Sequence, residues 1–285
     1  FTPVRLYPVI NPITQSFIDL SDCNIRSVAS VHLEYLGNMG VQSSMSTRLI
    51  VNDGLWGLIS CHHRTAFHPG YEMCTVFELL SDVIAAKIAA LEKETDYRLG
   101  EELQSIRSYL AERLYAGTGI SDALVKGEQT ILDLLNVEGI AMCLDKTIKL
   151  FGKTPDEEQT RNLVQWLQLE GAVETQATSS ISHLYEGGNQ FTDVASGMII
   201  LPVRPESGEY IIGFRPEVIQ QVNWGGNPNE AIQFEADNKN YHPRHSFSTW
   251  QQQVKHTSLP WHQQEIAIAE QFRTMFLQYK YKNQF

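Results

Sequence analysis

The chain has 285 residues, 42% of them hydrophobic, and a net charge of -11, which suits about two globular domains with buried cores. The acidic balance, with a pI near 5.3, argues against a nucleic-acid partner, and no apolar run approaches the roughly 20 residues of a membrane span. The four cysteines, Cys23, Cys61, Cys74 and Cys143, lack Cys-x-x-Cys spacing, against a structural zinc or a disulfide framework and for a reducing cytoplasm.

Residues 1–25 read as loop and turn, punctuated by Pro3, Pro8 and Pro12. The start, Phe1-Thr2-Pro3-Val4-Arg5, has no Met and no signal-peptide pattern and is read as an excised chain. Residues 27–39 have helical spacing through Val28, Val31, Tyr35, Leu36 and Met39, with Gly40 as the stop. Met45–Val51 and Leu55–Cys61 form two strands around Asn52-Asp53-Gly54. A two-residue loop pairs Met45 with His62. A three-residue loop with Gly54 left-handed pairs Ser44 with His62 and Ser46 with Ser60, placing these four on one face. Spacing alone allows both.

From Glu72 to about Tyr115 there is no proline and a single glycine, Gly100, which marks a weak point. Val76, Leu79, Leu80, Val83, Ile88 and Leu91, then Leu99, Leu103, Ile106, Leu110 and Leu114, recur at helical spacing. Such a helix spans roughly 60 Å, too long for one small domain; it joins two domains or packs on a partner's copy.

A second domain follows Gly119. Residues 121–135 read as a helix capped by Ser121, and 138–144 with 147–151 as a hairpin about Asp145-Lys146. Thr154-Pro155-Asp156-Glu157 starts a helix, with Thr154 as cap, that stops at Gly171. Met198–Val203 and Tyr210–Phe214 form another hairpin. Residues 215–246 are a long Gly- and Asn-rich stretch that holds Trp224, Phe234 and Tyr241; a loop of this length is functional or disordered, and its aromatics argue for function. His262–Tyr281 is a final helix. The pattern is α+β, a sheet with helices on its face.

The candidate chemistry concentrates in Val31–His63. Cys61-His62-His63 does not hold a metal ion, because neighbours on a strand point to opposite faces and no His-x-x-x-His or paired carboxylates support one. Cys61 beside His62 in sequence is equally poor as a nucleophile and base. Taken singly, His32 and His62 read as hydrogen-bonded fold residues, Arg26 as a surface ion pair, and Trp224 as a packed aromatic in a turn. Composition and spacing stop at a ligand-binding or sensory α+β protein.

A resemblance goes further. His32-Leu33-Glu34-Tyr35-Leu36-Gly37-Asn38-Met39-Gly40-Val41, Ser44-Met45-Ser46, Leu55-Trp56-Gly57-Leu58-Ile59 and Cys61-His62-His63 resemble the second half of the GAF domain of phytochromes. Phe214-Arg215-Pro216-Glu217, Trp224-Gly225-Gly226 and Pro243-Arg244-His245-Ser246-Phe247 resemble the tongue of the adjoining PHY domain. The motifs fall in the family's order over nearly the whole chain.

The resemblance implies a C-terminal part of a GAF domain over 1–71 and a long connecting helix over 72–115. It further implies a GAF-related PHY domain over 116–262, with a tongue at about 214–250, and an output-linking helix over 263–285. It implies a red/far-red photoreceptor with a linear tetrapyrrole (bilin) in the GAF pocket. His32 lies under the pyrrole rings, His62 donates to the carbonyl of the rotating terminal ring, and Tyr35 and Met39 line the pocket. Arg26 pairs with one propionate and Ser44 and Ser46 bond the other, a grouping that selects the three-residue loop. Trp224, Arg244 and Ser246 belong to the signalling tongue, which in the family exchanges hairpin for helix. Val31 stands where many members carry the bilin-attaching Cys, so the resemblance is to the bacterial, biliverdin-binding branch. The attaching Cys is then expected outside this chain, with the PAS domain and the first half of GAF. The family further implies a homodimer through the long helices, an output histidine kinase with a response regulator, and no catalysis in this chain. The other reading is a non-photochemical GAF-type module that binds a small ligand or dimerises.

Overall fold

The computed structural model describes residues 9–19, 28–117, 119–225, 227, 233–234, 241–242 and 249–282. It falls into two compact units, 1–89 with 223–251, and 90–222 with 252–285.

In the first unit, α1 (Ser30–Asn38) is shorter than its spacing predicts. It ends in a Schellman motif: Val41 N–H donates to the Leu36 carbonyl at 2.9 Å and Gly40 N–H to that of Gly37 at 2.9 Å. Gly40 supplies the left-handed φ of 69° that this closure requires. β1 (Ser43–Val51) and β2 (Gly54–His63) form an antiparallel hairpin that pairs Ser44 with His62 and Ser46 with Ser60. That is the register the three-residue loop predicts, reached by another route. The turn is Asn52-Asp53, both at positive φ (51° and 61°) as a type I′ turn demands, and Gly54 already lies in β2. One extra residue, Trp56, then bulges out between the Ile50–Leu55 and Leu49–Gly57 pairs and shifts the ladder by one.

The inner face of this hairpin packs on the start of α2 (Tyr71–Tyr115). Leu49 and Val51 bury against Ala85, with Ile59, Ile84 and Ile88 around them. The Ser81 hydroxyl donates to the Glu78 carbonyl at 2.7 Å, so in its 3.1 Å contact with Thr47 it is the acceptor. α2 runs through Gly100 without a break, over about 68 Å at 1.5 Å per residue.

The second unit has a five-stranded antiparallel sheet in the order β4-β3-β7-β6-β5. Its strands are β3 (Gly139–Leu144), β4 (Thr147–Gly152), β5 (Gln176–Thr178), β6 (Gly197–Arg204) and β7 (Glu209–Arg215). The β3–β4 turn is Asp145-Lys146, both at positive φ, as predicted. Alternation sends Ile140, Met142, Ile199, Leu201 and Ile211 to one core, with Leu103, Ile106, Leu110 and Leu114 of α2. Phe272 and Phe276 of α6 (Gln263–Lys282) complete it. Ala141, Cys143, Met198, Ile200, Tyr210 and Ile212 face the other core, under Leu163, Val164 and Leu167 of α5 (Glu157–Leu169). Both faces of the sheet are therefore covered.

Three local expectations need correction. Residues 121–135 are not one helix but α3 (Ile120–Val125) and α4 (Ile131–Leu135). Between them Gly127 has φ 122° and approaches Arg113 and Tyr109 so closely that a Cβ would lie 2.3 Å from Arg113 Nη1. Ser121 caps nothing; Gly119 is the N-cap of α3, and Thr130 with Asp133 forms a capping box on α4. Asp156, not Thr154, caps α5, with Gln159 closing the box. The long Gly- and Asn-rich stretch contains strands. β8 (Gln220–Gly225) pairs with β11 (Thr249–Val254), and β9 (Gln233–Phe234) is antiparallel to β10 (Tyr241–His242).

Candidate functional site

The candidate site is the outer face of the β1–β2 hairpin together with α1. Because strand side chains alternate, the register that buries Leu49 and Val51 turns Ser44, Ser46, Arg48, Ser60 and His62 outward. Two of the hydroxyls and the imidazole form a chain. Ser46 Oγ lies 3.2 Å from Ser60 Oγ, and Ser60 Oγ lies 3.1 Å from His62 Nε2. Residues 44–50 and 56–62 contain no Asp or Glu. The face therefore offers hydroxyls, an imidazole and the guanidinium of Arg48, a donor set suited to carboxylate and carbonyl oxygens.

His63 points the other way. Its Nδ1 lies 3.0 Å from both the Thr65 carbonyl and the Thr65 hydroxyl, and its ring stacks on Phe67 with centroids 5.4 Å apart. Ser43 closes this end of the hairpin, accepting from Phe67 N–H at 2.6 Å. The division of labour between adjacent histidines is thus a consequence of the period-two strand: His62 on the open face, His63 holding the strand end.

On α1, His32 and Tyr35 are one helical turn apart and stack, with centroids 6.2 Å apart and planes 17° apart. His32 is exposed and Tyr35 half-buried. Met39 is the C-cap of the same helix and half-buried. Val31, with no thiol, precedes His32. β10 lies beside α1 within the same unit. Trp224 stands in β8, exposed. Arg26, Arg244 and Ser246 lie outside the described residues.

Ser60, placed on this face by the register, links Ser46 to His62. One side chain of the face was missed in the sequence: Arg48 continues the outward row. Arg48 follows Ser44 and Ser46 at the same strand period, so the signal was there to find. Among the described residues no cluster of His, Cys, Asp or Glu could hold a metal ion, and no helix is long and apolar enough to cross a membrane.

A GAF-domain model matches residues 8–88, and a model described as the phytochrome region matches residues 103–284. The second match alone takes in more than half of the chain. The chain belongs to the phytochrome family. Among its phytochrome relatives, cyanobacterial phytochrome A of Nostoc sp. is 39% identical over 95% of this chain and 35% of its own length. The bacteriophytochrome of Xanthomonas campestris is 30% identical over 96% of this chain and 45% of its own length. The solved bacteriophytochrome from the photosynthetic bacterium R. palustris superposes with a TM-score of 0.79 at 32% identity, covering 96% of this chain and 55% of that one. The Stigmatella aurantiaca phytochrome photosensory core module gives 0.72 at 31%, covering 95% and 54%. The chain thus spans about a third to under half of these curated relatives and about half of the solved phytochromes. Its α+β fold, helices with antiparallel sheets, is that of phytochrome photosensory cores.

Proposed function

We propose that this chain is the later part of a red/far-red photosensory module, and that the outer face of the β1–β2 hairpin with α1 forms one wall of a bilin pocket. The observation that carries the reading is the open, acid-free row of Ser44, Ser46, Ser60 and His62, in a chain of the phytochrome family. A bilin, when bound, supplies absorption of visible light and a double bond whose isomerisation turns its terminal ring.

The residues divide the work by chemistry. Ser44 and Ser46 hydrogen-bond one propionate and Arg26 pairs with the other. His62, steadied by Ser60, donates to the carbonyl of the terminal ring. His32, steadied by its stack with Tyr35, sits by the pyrrole nitrogens, where an imidazole tunes charge near neutral pH. Met39 adds apolar lining. Val31 in place of a thiol favours biliverdin, attached through a Cys beyond this chain. Trp224, Arg244 and Ser246 act in the tongue, whose described residues include the strands β8 to β11.

In the longer protein, α2 and α6 carry the change to an output domain, a histidine kinase that passes phosphate to a response regulator, and two copies associate through their long helices. The test is to co-express the longer protein, with its N-terminal PAS and GAF segments, with a source of biliverdin. A green or blue holoprotein is expected; a colourless protein that takes up no biliverdin contradicts the reading.

A further inference from the structure

Arg215 is the last residue of β7, at the point where the chain leaves the sheet for the β8–β11 ribbon. It is an arginine with only 7% of its side chain exposed. All three of its nitrogens donate. Nε bonds the Asn136 carbonyl at 2.8 Å, Nη1 the Pro260 carbonyl at 3.0 Å and Nη2 the Glu265 carboxylate at 2.7 Å. The guanidinium carbon lies 3.6 Å from the centroid of the Trp261 ring.

These partners belong to three segments. Asn136 is the left-handed C-cap of α4, and its side-chain amide also donates to Glu265 at 2.7 Å. Pro260 and Trp261 lie where the chain comes back from β11, and Trp261 Nε1 donates to the Thr178 carbonyl on edge strand β5 at 2.9 Å. Glu265 is in the first turn of α6, is 5% exposed, and also accepts from His262 N–H at 2.8 Å. One side chain therefore joins the outgoing root of the ribbon, its returning root and the start of the last helix.

A lone buried ion pair is a poor device for stability, because desolvation offsets the attraction; fixing one geometry is its better-attested use. The planar fork of arginine, with one bond from each of its three nitrogens, transmits direction as well as distance. Outside this joint Val218 N–H donates to the Thr257 carbonyl at 2.9 Å and His256 N–H to Glu217, tying the two roots to each other, while Glu217 N–H to the Thr192 carbonyl at 3.2 Å and Ser258 N–H to the Ser179 carbonyl at 2.8 Å anchor them to the domain.

We propose that Arg215 is the positioning residue that makes the root of the β8–β11 ribbon and the first turn of α6 move as one body, so that a change of state in the ribbon reaches α6. This rests on the photosensory reading above. It assigns the coupling to the Arg215–Glu265–Trp261 joint and to no residue of the bilin pocket.

The test uses the longer holoprotein with biliverdin, as wild type and as Arg215→Met, and reads two quantities in the dark and under light. The first is the absorption difference spectrum. The second is amide hydrogen exchange over Thr249–Val254 and over Gln263–Lys282. The expected result is a wild-type difference spectrum and a wild-type light response in 249–254, with the light response in 263–282 lost. An Arg215→Met protein whose α6 still responds like wild type overturns the proposal, as does a photoactive wild type whose α6 does not respond at all. If Arg215→Met does not fold, Glu265→Gln decides by the same criteria, since it exchanges the ion pair for a neutral hydrogen bond and should weaken the α6 response at an unchanged spectrum. Loss of the wild-type difference spectrum would strike the photosensory reading instead, so the two failures are distinguishable.

Discussion

At the scale of single residues, the chemistry of the open face depends on hydroxyls that can both give and take a hydrogen bond. In the Ser46–Ser60–His62 chain each hydroxyl can be donor or acceptor. In the proposed pocket, a change at His62 can therefore be passed back along the strand without breaking the chain. Cys143 shows the opposite case, a polarisable group kept silent. It faces the α5 core from β3, and burial alone pushes its thiol from 9.0 up to about 12. The folded state holds the proton where the unfolded state releases it, so this contribution to stability is complete below about pH 9 and is lost as pH rises towards 12. Between those limits stability should fall by up to about 1.4 kcal/mol per pH unit on account of this one group. Urea unfolding of wild type and Cys143→Ala at a series of alkaline pH values measures the difference in slope. Equal slopes in the two proteins would contradict the burial account.

At the scale of elements, α2 carries two apolar faces where a surface helix normally has one. Ser81, Ile84, Ala85 and Ile88 meet the hairpin. Val76, Leu79, Leu80 and Val83 form a neighbouring stripe and are 48–65% exposed. A stripe of this kind fits the partner's long helix in the proposed homodimer. Leu79→Glu should shift the longer protein towards monomer in sedimentation velocity, with the red absorption band intact; a variant as dimeric as wild type would contradict that use of the stripe. The helix itself was readable because its period runs unbroken for forty residues, and the β1–β2 face because its strand alternation is strict. The details that escaped depend on tertiary contacts or on competing local options. At the break, Gly127 is fixed as glycine by Arg113 and Tyr109, which occupy the space a Cβ would need. Thr154 and Asp156 both suit an N-cap, and only the position of Gln159 decides between them. The hairpin register was reachable through a loop or a bulge, and Trp56 took the bulge. Arg215 looked like one residue of a tongue motif; its importance comes from Glu265, fifty positions away.

At the scale of the whole molecule, two elements contribute residues to both compact units, α2 and the β8–β11 ribbon. A local bonding change can become a global one only if it biases an element with two arrangements. The strand-rich ribbon, rooted at Arg215, is the candidate for that element, and His62 on the open hairpin face is the candidate for the group that sets it. The most direct measurement is the red-minus-far-red difference spectrum of the longer holoprotein with biliverdin, taken for wild type and His62→Ala under alternating red and far-red light. The expected result is a fully reversible spectrum for wild type and, for His62→Ala, a protein that still binds the bilin but photoconverts poorly. A wild type with no reversible difference spectrum, or a His62→Ala protein that binds poorly yet photoconverts normally, would contradict it.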